Sequence, residues 1–103
     1  RLMERIRTGP RAEQRQGEER WRPTEFAGVS ICHLHHDPAT GMRTYYLRME
    51  PGAFYPAHHH NELEQCLVLE GDVRQDGVIM EAGDYSTFAA NSDHSRIDTE
   101  RGC

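Results

Sequence analysis

The sequence predicts an all-β fold, a small barrel or sandwich, and three observations carry that reading. From Gly28 onward, short runs rich in Val, Ile, Tyr and Thr follow one another. Gly, Pro, Asn or Asp punctuates them at regular intervals. The chain has 103 residues, 36% of them hydrophobic, and a mean hydropathy of -0.84. That is enough for one small domain with a modest core.

The elements can be justified in order. In Arg1 to Arg7, Leu2, Met3 and Ile6 stand at near-helical spacing, which predicts the end of a short helix stopped by Gly9-Pro10. Residues 11–20 have no apolar period and read as a linker, so residues 1–20 form a helical or linker lead. Trp21, Phe26 and Val29 mark entry into packed structure, with Trp21 as a lid over one barrel end. VSICHLHH and MRTYYLRME then read as two strands joined by a turn through Pro38 and Gly41. Pro51-Gly52 breaks the chain again. Gln65 to Glu70 is a short apolar strand, ended by Gly71-Asp72. Further strands are predicted over 73–74, 78–80, 85–88 and 94–98.

Charge and cysteine content exclude several function classes. Residues 1–22 hold seven Arg and four Glu, and the remainder holds five Arg against thirteen Asp or Glu. An acidic domain of net charge -5 repels phosphates, which argues against nucleic-acid binding. Its short basic lead, interrupted by Glu, reads as a solvated linker. No apolar run approaches the roughly 20 residues that span a bilayer, and no signal-peptide pattern opens the chain. Cys32, Cys66 and Cys103 are odd in number and form no CxxC pair, which predicts free thiols in a reducing, cytoplasmic setting. The first residue is Arg rather than Met, which suggests a portion of a longer polypeptide.

Chemistry concentrates in GAFYPAHHHNELEQCLVLEG, residues 52–71. A strand sends alternate side chains to one face, so His58 and His60 point together and His59 points away. Two imidazoles with Glu64 nearby make most of a divalent-metal site. Adjacent histidines also occur in solvated loops and in terminal tags, but these lie mid-chain between a turn and an apolar strand. Cys66 shares strand parity with Glu64 and so could approach a metal, although a small buried side chain is the plainer reading. A second group, His33, His35 and His36, lacks a following carboxylate at ligand spacing. It reads better as hairpin surface than as a second metal site.

Gly52, His58, His60, Glu64 and Gly71 stand as G-x5-H-x-H-x3-E-x6-G, a spacing that resembles the first signature motif of the cupin superfamily. The resemblance implies a double-stranded β-helix, or jelly-roll barrel, over 21–103 with a metal inside. Downstream, GVIMEAGDYSTFAANSDH is similar to the second motif, with Glu81 in the place of the family's usual proline. That match implies His94 as the fourth ligand, giving His58, His60, Glu64 and His94 around one divalent ion. Zinc is the first expectation, with iron, nickel, manganese and copper left open.

Within the cupins, the chain resembles the C-terminal domain of ChrR-type anti-sigma factors over about residues 20–103. Trp21 with Gly28-Val29, Met49-Glu50-Pro51-Gly52-Ala53, Cys66 to Gly71, and Glu100-Arg101-Gly102-Cys103 carry this likeness. It implies a sensor of an oxidant or small-molecule ligand, attached to an upstream zinc domain that holds a sigma factor. The HxxxCxxC motif of such a zinc domain is not in these 103 residues. The family is also expected to run past Cys103 into another core strand. An open edge there would invite a second copy, hence a homodimer.

Two functions from different classes follow. One is a metal-binding sensor or regulatory module; the other is a metal-dependent enzyme of the dioxygenase type. For the enzyme, the sequence offers Tyr46, Arg48 and Glu62 as groups around the metal, and no activated nucleophile or Gly-rich phosphate loop.

Overall fold

A computed structural model describes Glu13 and residues 15–103. Among the described residues every regular element is a β-strand. The helix expected over Arg1 to Arg7 lies outside the described residues. None of the described helices, there being none, is long and apolar enough to cross a membrane.

The first sheet has the order β1-β2-β3, from Arg22–Pro23, Val29–His36 and Arg43–Met49, all antiparallel. β2 has the bounds that its β-branched pattern predicts. Its register with β3 shifts between His33 and His35, so a bulge interrupts the strand's alternation there. The hairpin closes through the Asp37 turn, where the side chain accepts from the Ala39 amide and the Thr40 hydroxyl. Those bonds hold the Asp37 carboxyl below its ordinary range.

Two short ribbons follow. β5 (His58–His60) pairs with β10 (Ser92–His94), and β6 (Glu64–Leu67) pairs with β9 (Tyr85–Phe88). The remaining sheet has the order β4-β11-β7-β8, from Phe54–Tyr55, Ile97–Asp98, Asp72–Gln75 and Val78–Glu81. Two strands differ from the sequence expectation. The apolar run after Gln65 leaves its ladder at Val68, which bonds instead to the carbonyl of Asp84 and accepts from Gly83. The strand expected over 94–98 is two strands: the chain changes sheets after His94, sending β10 to β5 and β11 between β4 and β7.

Val29, Met49, Ala53, Val68, Val73, Met80 and Ile97 form the buried core, with Phe26, Leu47, Tyr55 and Cys103 packed against it. Met49 and Val29 are cross-strand partners, so one face of the β2–β3 hairpin is fixed as the inner one. Residues of like parity on β3 are Leu47 and Tyr45; Tyr46 and Arg48 lie on the outer face. There Trp21 stacks on Tyr46 at 6.1 Å, and the Arg48 guanidinium sits 3.9 Å over the indole. Trp21 therefore covers the hairpin's outer face rather than closing a barrel end.

Chain closure involves a buried carboxylate. Asp72 accepts hydrogen bonds from the amides of Arg101 at 2.7 Å and Glu100 at 3.0 Å, with the Arg101 guanidinium 3.5 Å away. Those two amides, ahead of Thr99 and Arg101, hold its carboxyl below the ordinary value. Met49 and Cys103 exchange both backbone hydrogen bonds, each 2.9 Å. The two motif glycines have different reasons to be glycine. At Gly71 a Cβ would stand 1.7 Å from the Gly102 carbonyl oxygen. Gly52 has open space around it, but its φ of +82° is one that L side chains rarely adopt.

Candidate metal centre

The β5–β10 ribbon builds most of the site. Three residue pairs form across it: His58 with His94, His59 with Asp93 and His60 with Ser92. Directly opposed residues share a face, so His58, His60 and His94 turn to one side. His59 turns to the other, where its Nδ1 lies 2.8 Å from the Asp93 carboxylate. The alternation expected from the sequence is thus realised.

Ring contacts tie the group together. The His58 and His60 centroids are 4.4 Å apart, His58 stacks on His94 at 5.1 Å, and His60 meets His94 edge-on at 5.2 Å. Backbone carbonyls orient two of the rings. His58 Nδ1 lies 3.0 Å from the Pro56 carbonyl, and His94 Nδ1 lies 2.6 Å from that of Ser95. A ring whose Nδ1–H donates to a carbonyl keeps its Nε2 as a lone-pair donor, the arrangement that metal-binding histidines require.

Glu64 enters from the start of β6. One of its carboxylate oxygens, Oε2, stands 2.9 Å from His60 Nε2. Both atoms are shut off from solvent, and neither has a hydrogen-bond partner. Such groups are costly to bury, and few in a native protein go unsatisfied. Two lone pairs aimed at one point lose that cost if a cation stands between them. The donor atoms of His60, Glu64 and His94 all lie within 4.8 Å of one another. The three residues singled out by spacing and His94, implied by the resemblance, are therefore neighbours, three of the four in one tight donor set and His58 with its ring against two of the others.

Burial sets the electrostatics. The side chain of His60 is 12% exposed and that of Glu64 30%, while His94 is 3% exposed. Desolvation, ahead of the opposing pull of Glu64, lowers the His60 pKa, and the neighbouring rings of His58 and His94 lower it further. Its imidazole is thereby held in the neutral form that binds metals. Imidazole with a carboxylate is a donor set that suits several divalent first-row ions.

Aromatic rings enclose the cluster. Phe88, the cross-strand partner of Glu64, lies 4.1 Å from His94 and 5.8 Å from His60. Tyr55 meets His58 edge-on at 5.1 Å and Phe26 at 4.9 Å, joining site to core. Below Glu64 the interior is polar: Gln75 is buried, accepts from the Ser86 hydroxyl, and lies 4.0 Å from Cys66 Sγ. Burial raises the Cys66 thiol pKa, so it stays protonated, and all three cysteines are free. The groups proposed from the sequence to surround a metal are elsewhere. Tyr46 and Arg48 stack with Trp21 on the outer face, and Glu62 is exposed. Sequence reasoning passed over Tyr55 and Phe88, whose rings lie against the histidines.

The family model of the ChrR Cupin-like domain matches residues 11–103. Among curated proteins none matches the chain. Solved structures do. The anti-sigma factor ChrR of Rhodobacter sphaeroides, in its complex with SigE, is 31% identical with a TM-score of 0.69. That match covers 85% of this chain and 45% of the other, so the chain spans under half the length of that relative. An acetylacetone dioxygenase from Acinetobacter johnsonii is 15% identical over 95% of this chain and 71% of its own, with a TM-score of 0.76. An RmlC-like cupin from Shewanella frigidimarina is 21% identical over 86% and 80%, with a TM-score of 0.70. At such identities the last two establish likeness of fold alone.

Proposed function

The chain belongs to the ChrR Cupin-like domain family, and from that premise we propose that it is a metal-binding sensor or regulatory module. The ion would be held by His58, His60, Glu64 and His94, with zinc as the first choice. The observation that carries this reading is the pair of buried atoms His60 Nε2 and Glu64 Oε2, 2.9 Å apart and without a hydrogen bond, beside a nearly inaccessible His94. When bound, the ion would supply a Lewis-acidic centre at the end of the β5–β10 ribbon. The chain's own contribution is to hold the His60 imidazole neutral, to orient those of His58 and His94 through backbone carbonyls, and to exclude water on the Phe88 side.

Regulation is the favoured use because the ligands come without recognisable acid–base machinery. The basic and phenolic groups that the sequence offered around a metal, Arg48 and Tyr46, are occupied on the outer face. The partner we propose is a sigma factor, contacted through an upstream domain, by analogy with the 31% identical anti-sigma factor. A sensor must bias a conformational state rather than turn over a substrate. Because β5 and β10 each contribute ligands, occupancy would govern how firmly those two strands hold together.

A dioxygenase-type enzyme is the second reading, favoured by the partial exposure of Glu64, which leaves the site one open side. The two readings separate in one experiment. The protein, loaded with ferrous iron and incubated aerobically with acetylacetone, should give no product. Exposure to peroxide should instead change its metal content. Steady multiple turnover that disappears in a His58→Ala variant would overturn the regulatory reading and install the enzymatic one.

A further inference from the structure

The turn end of the β2–β3 hairpin carries a second concentration of polar side chains. An open cleft of about 310 Å³ is lined there by His33, Leu34, His35, His36 and Arg43. The register of the two strands explains why these residues meet. His33 is opposed to Tyr45, and His36 is opposed to Arg43. Tyr45 and Arg43 are two apart on β3 and so share a face, and the residues directly opposed to them share it too. On a regular strand His33 and His36, three apart, would point to opposite sides. The bulge adds one residue between them and brings both to the side of Arg43.

The cleft holds donors that the chain leaves unmatched. Of the five arginines in residues 23–103, four are engaged: Arg48 over Trp21, Arg74 and Arg96 with Asp98, and Arg101 with Asp72 and Glu81. Arg43 is exposed and has no ion-pair partner among the described residues. In a region with thirteen acidic residues, a guanidinium without a carboxylate is out of the ordinary. The acid beside it in the hairpin, Asp37, is committed to its own turn, accepting from the Ala39 amide and the Thr40 hydroxyl, and its charge acts on His35. No acidic residue lines the cleft. Nor do its histidines converge as metal ligands: among the described residues, only His60, Glu64 and His94 bring three such donor atoms within 4.8 Å of one another.

We propose that this cleft binds a single phosphate group, held by the Arg43 guanidinium and by ring N–H groups of His36 and His33. The donor count selects phosphate over carboxylate. A guanidinium offers a fork of parallel N–H donors that takes two oxygens at once. Each imidazole adds at least one more N–H. A carboxylate has no third oxygen to receive it, and a phosphate does. The net charge of -5 still excludes a polyanion, so the ligand is inorganic phosphate or a small phosphate monoester.

NMR titration of the isotope-labelled protein tests the site, with the amide signals of His36 and Arg43 as reporters of the hairpin. Inorganic phosphate and phenyl phosphate are titrated separately, with acetate as the control anion. Both phosphates should shift the hairpin signals saturably, and acetate should bind at least about ten-fold more weakly, having fewer acceptors for the donors present. The tighter of the two phosphates identifies the source. Arg43→Gln should weaken phosphate binding at least about ten-fold, through loss of hydrogen bonds between charged groups. Arg43→Lys, which keeps the charge and loses the fork, should retain part of the affinity. His36→Ala should lose about three-fold or more. Arg74→Gln removes the same charge from the other sheet and should match wild type. Hairpin signals that do not saturate with either phosphate, equal affinities in wild type and Arg43→Gln, or an equal loss in Arg74→Gln would overturn the site. Acetate that binds as tightly as phosphate would overturn the choice of ligand.

Discussion

Glu64, half-buried, and Asp72, buried, stand eight residues apart along the chain and are treated in opposite ways. Asp72 is surrounded by donors from the chain itself: the amides of Glu100 and Arg101, the Thr99 hydroxyl and the Arg101 guanidinium. Glu64 presents a buried oxygen to His60 Nε2 with no hydrogen bond on either atom. A carboxylate satisfied by backbone is part of the architecture, and its energy is already committed to folding. A carboxylate left beside the neutral His60 imidazole without such donors is one that the polypeptide alone does not satisfy. Burial alone does not separate structure from function here. What separates them is whether the chain supplies the partners.

The most severe break of that comparison is removal of a ligand. His60→Ala and His94→Ala should each reduce bound metal to well below one per chain by elemental analysis, and a chelator should lower the wild-type melting temperature while leaving these variants unchanged. Binding should also weaken below about pH 6, because protons compete for the imidazoles. A melting temperature indifferent to chelator would make the Glu64 end as architectural as the Asp72 end.

Next in size is the glycine beside Asp72. Gly71→Ala would force a methyl group to 1.7 Å from a backbone oxygen, so the C-terminal segment must move. Gly52→Ala meets only the left-handed penalty, about 1–2 kcal/mol. Denaturant titration should find Gly71→Ala the more destabilised by a clear margin. Equal losses would show that Gly71 is kept for its φ and not for the close approach.

The smallest effect concerns acid. The Asp72 carboxyl has a folded pKa below the unfolded value of about 3.8, so the unfolded chain binds the extra proton first as pH falls. Its contribution is fully present above that unfolded value and is lost as pH drops through the folded one. Measured on metal-free protein between about pH 5 and pH 2, wild type should lose more stability than Asp72→Asn. Parallel curves would mean that the hydrogen bonds to Glu100 and Arg101 carry no net charge preference.

The sequence was most readable where function depends on spacing within one strand. His58 and His60 are two residues apart on β5, and no knowledge of the rest of the fold is needed to place them together. His94 could be placed only through a family motif, because its partner strand is remote. The strands themselves were legible where alternation is uninterrupted, as in β3 and β9, and misjudged where the chain changes partners, at Val68 and after His94. Tyr46 was assigned to the surroundings of the metal because the phase of β3 is invisible until Met49 is known to be buried. A one-residue error of phase exchanges the two faces completely. The Leu34 bulge was equally hidden, since nothing in VSICHLHH distinguishes a regular strand from a bulged one.

The β5–β10 ribbon has only three residue pairs, with His58 and His94 opposed at one end. Its central pair, His59 and Asp93, is separated by 34 residues of chain. An ion bound across such a pair is a removable cross-link that closes a long loop. The entropy of bringing those ends together is then met once by folding and secured by coordination. Withdrawing the ion returns that freedom to the segment between the strands, which includes β6 through β9. Metal occupancy in this domain would therefore be felt as chain stiffness across most of its second half, at positions that never touch the metal.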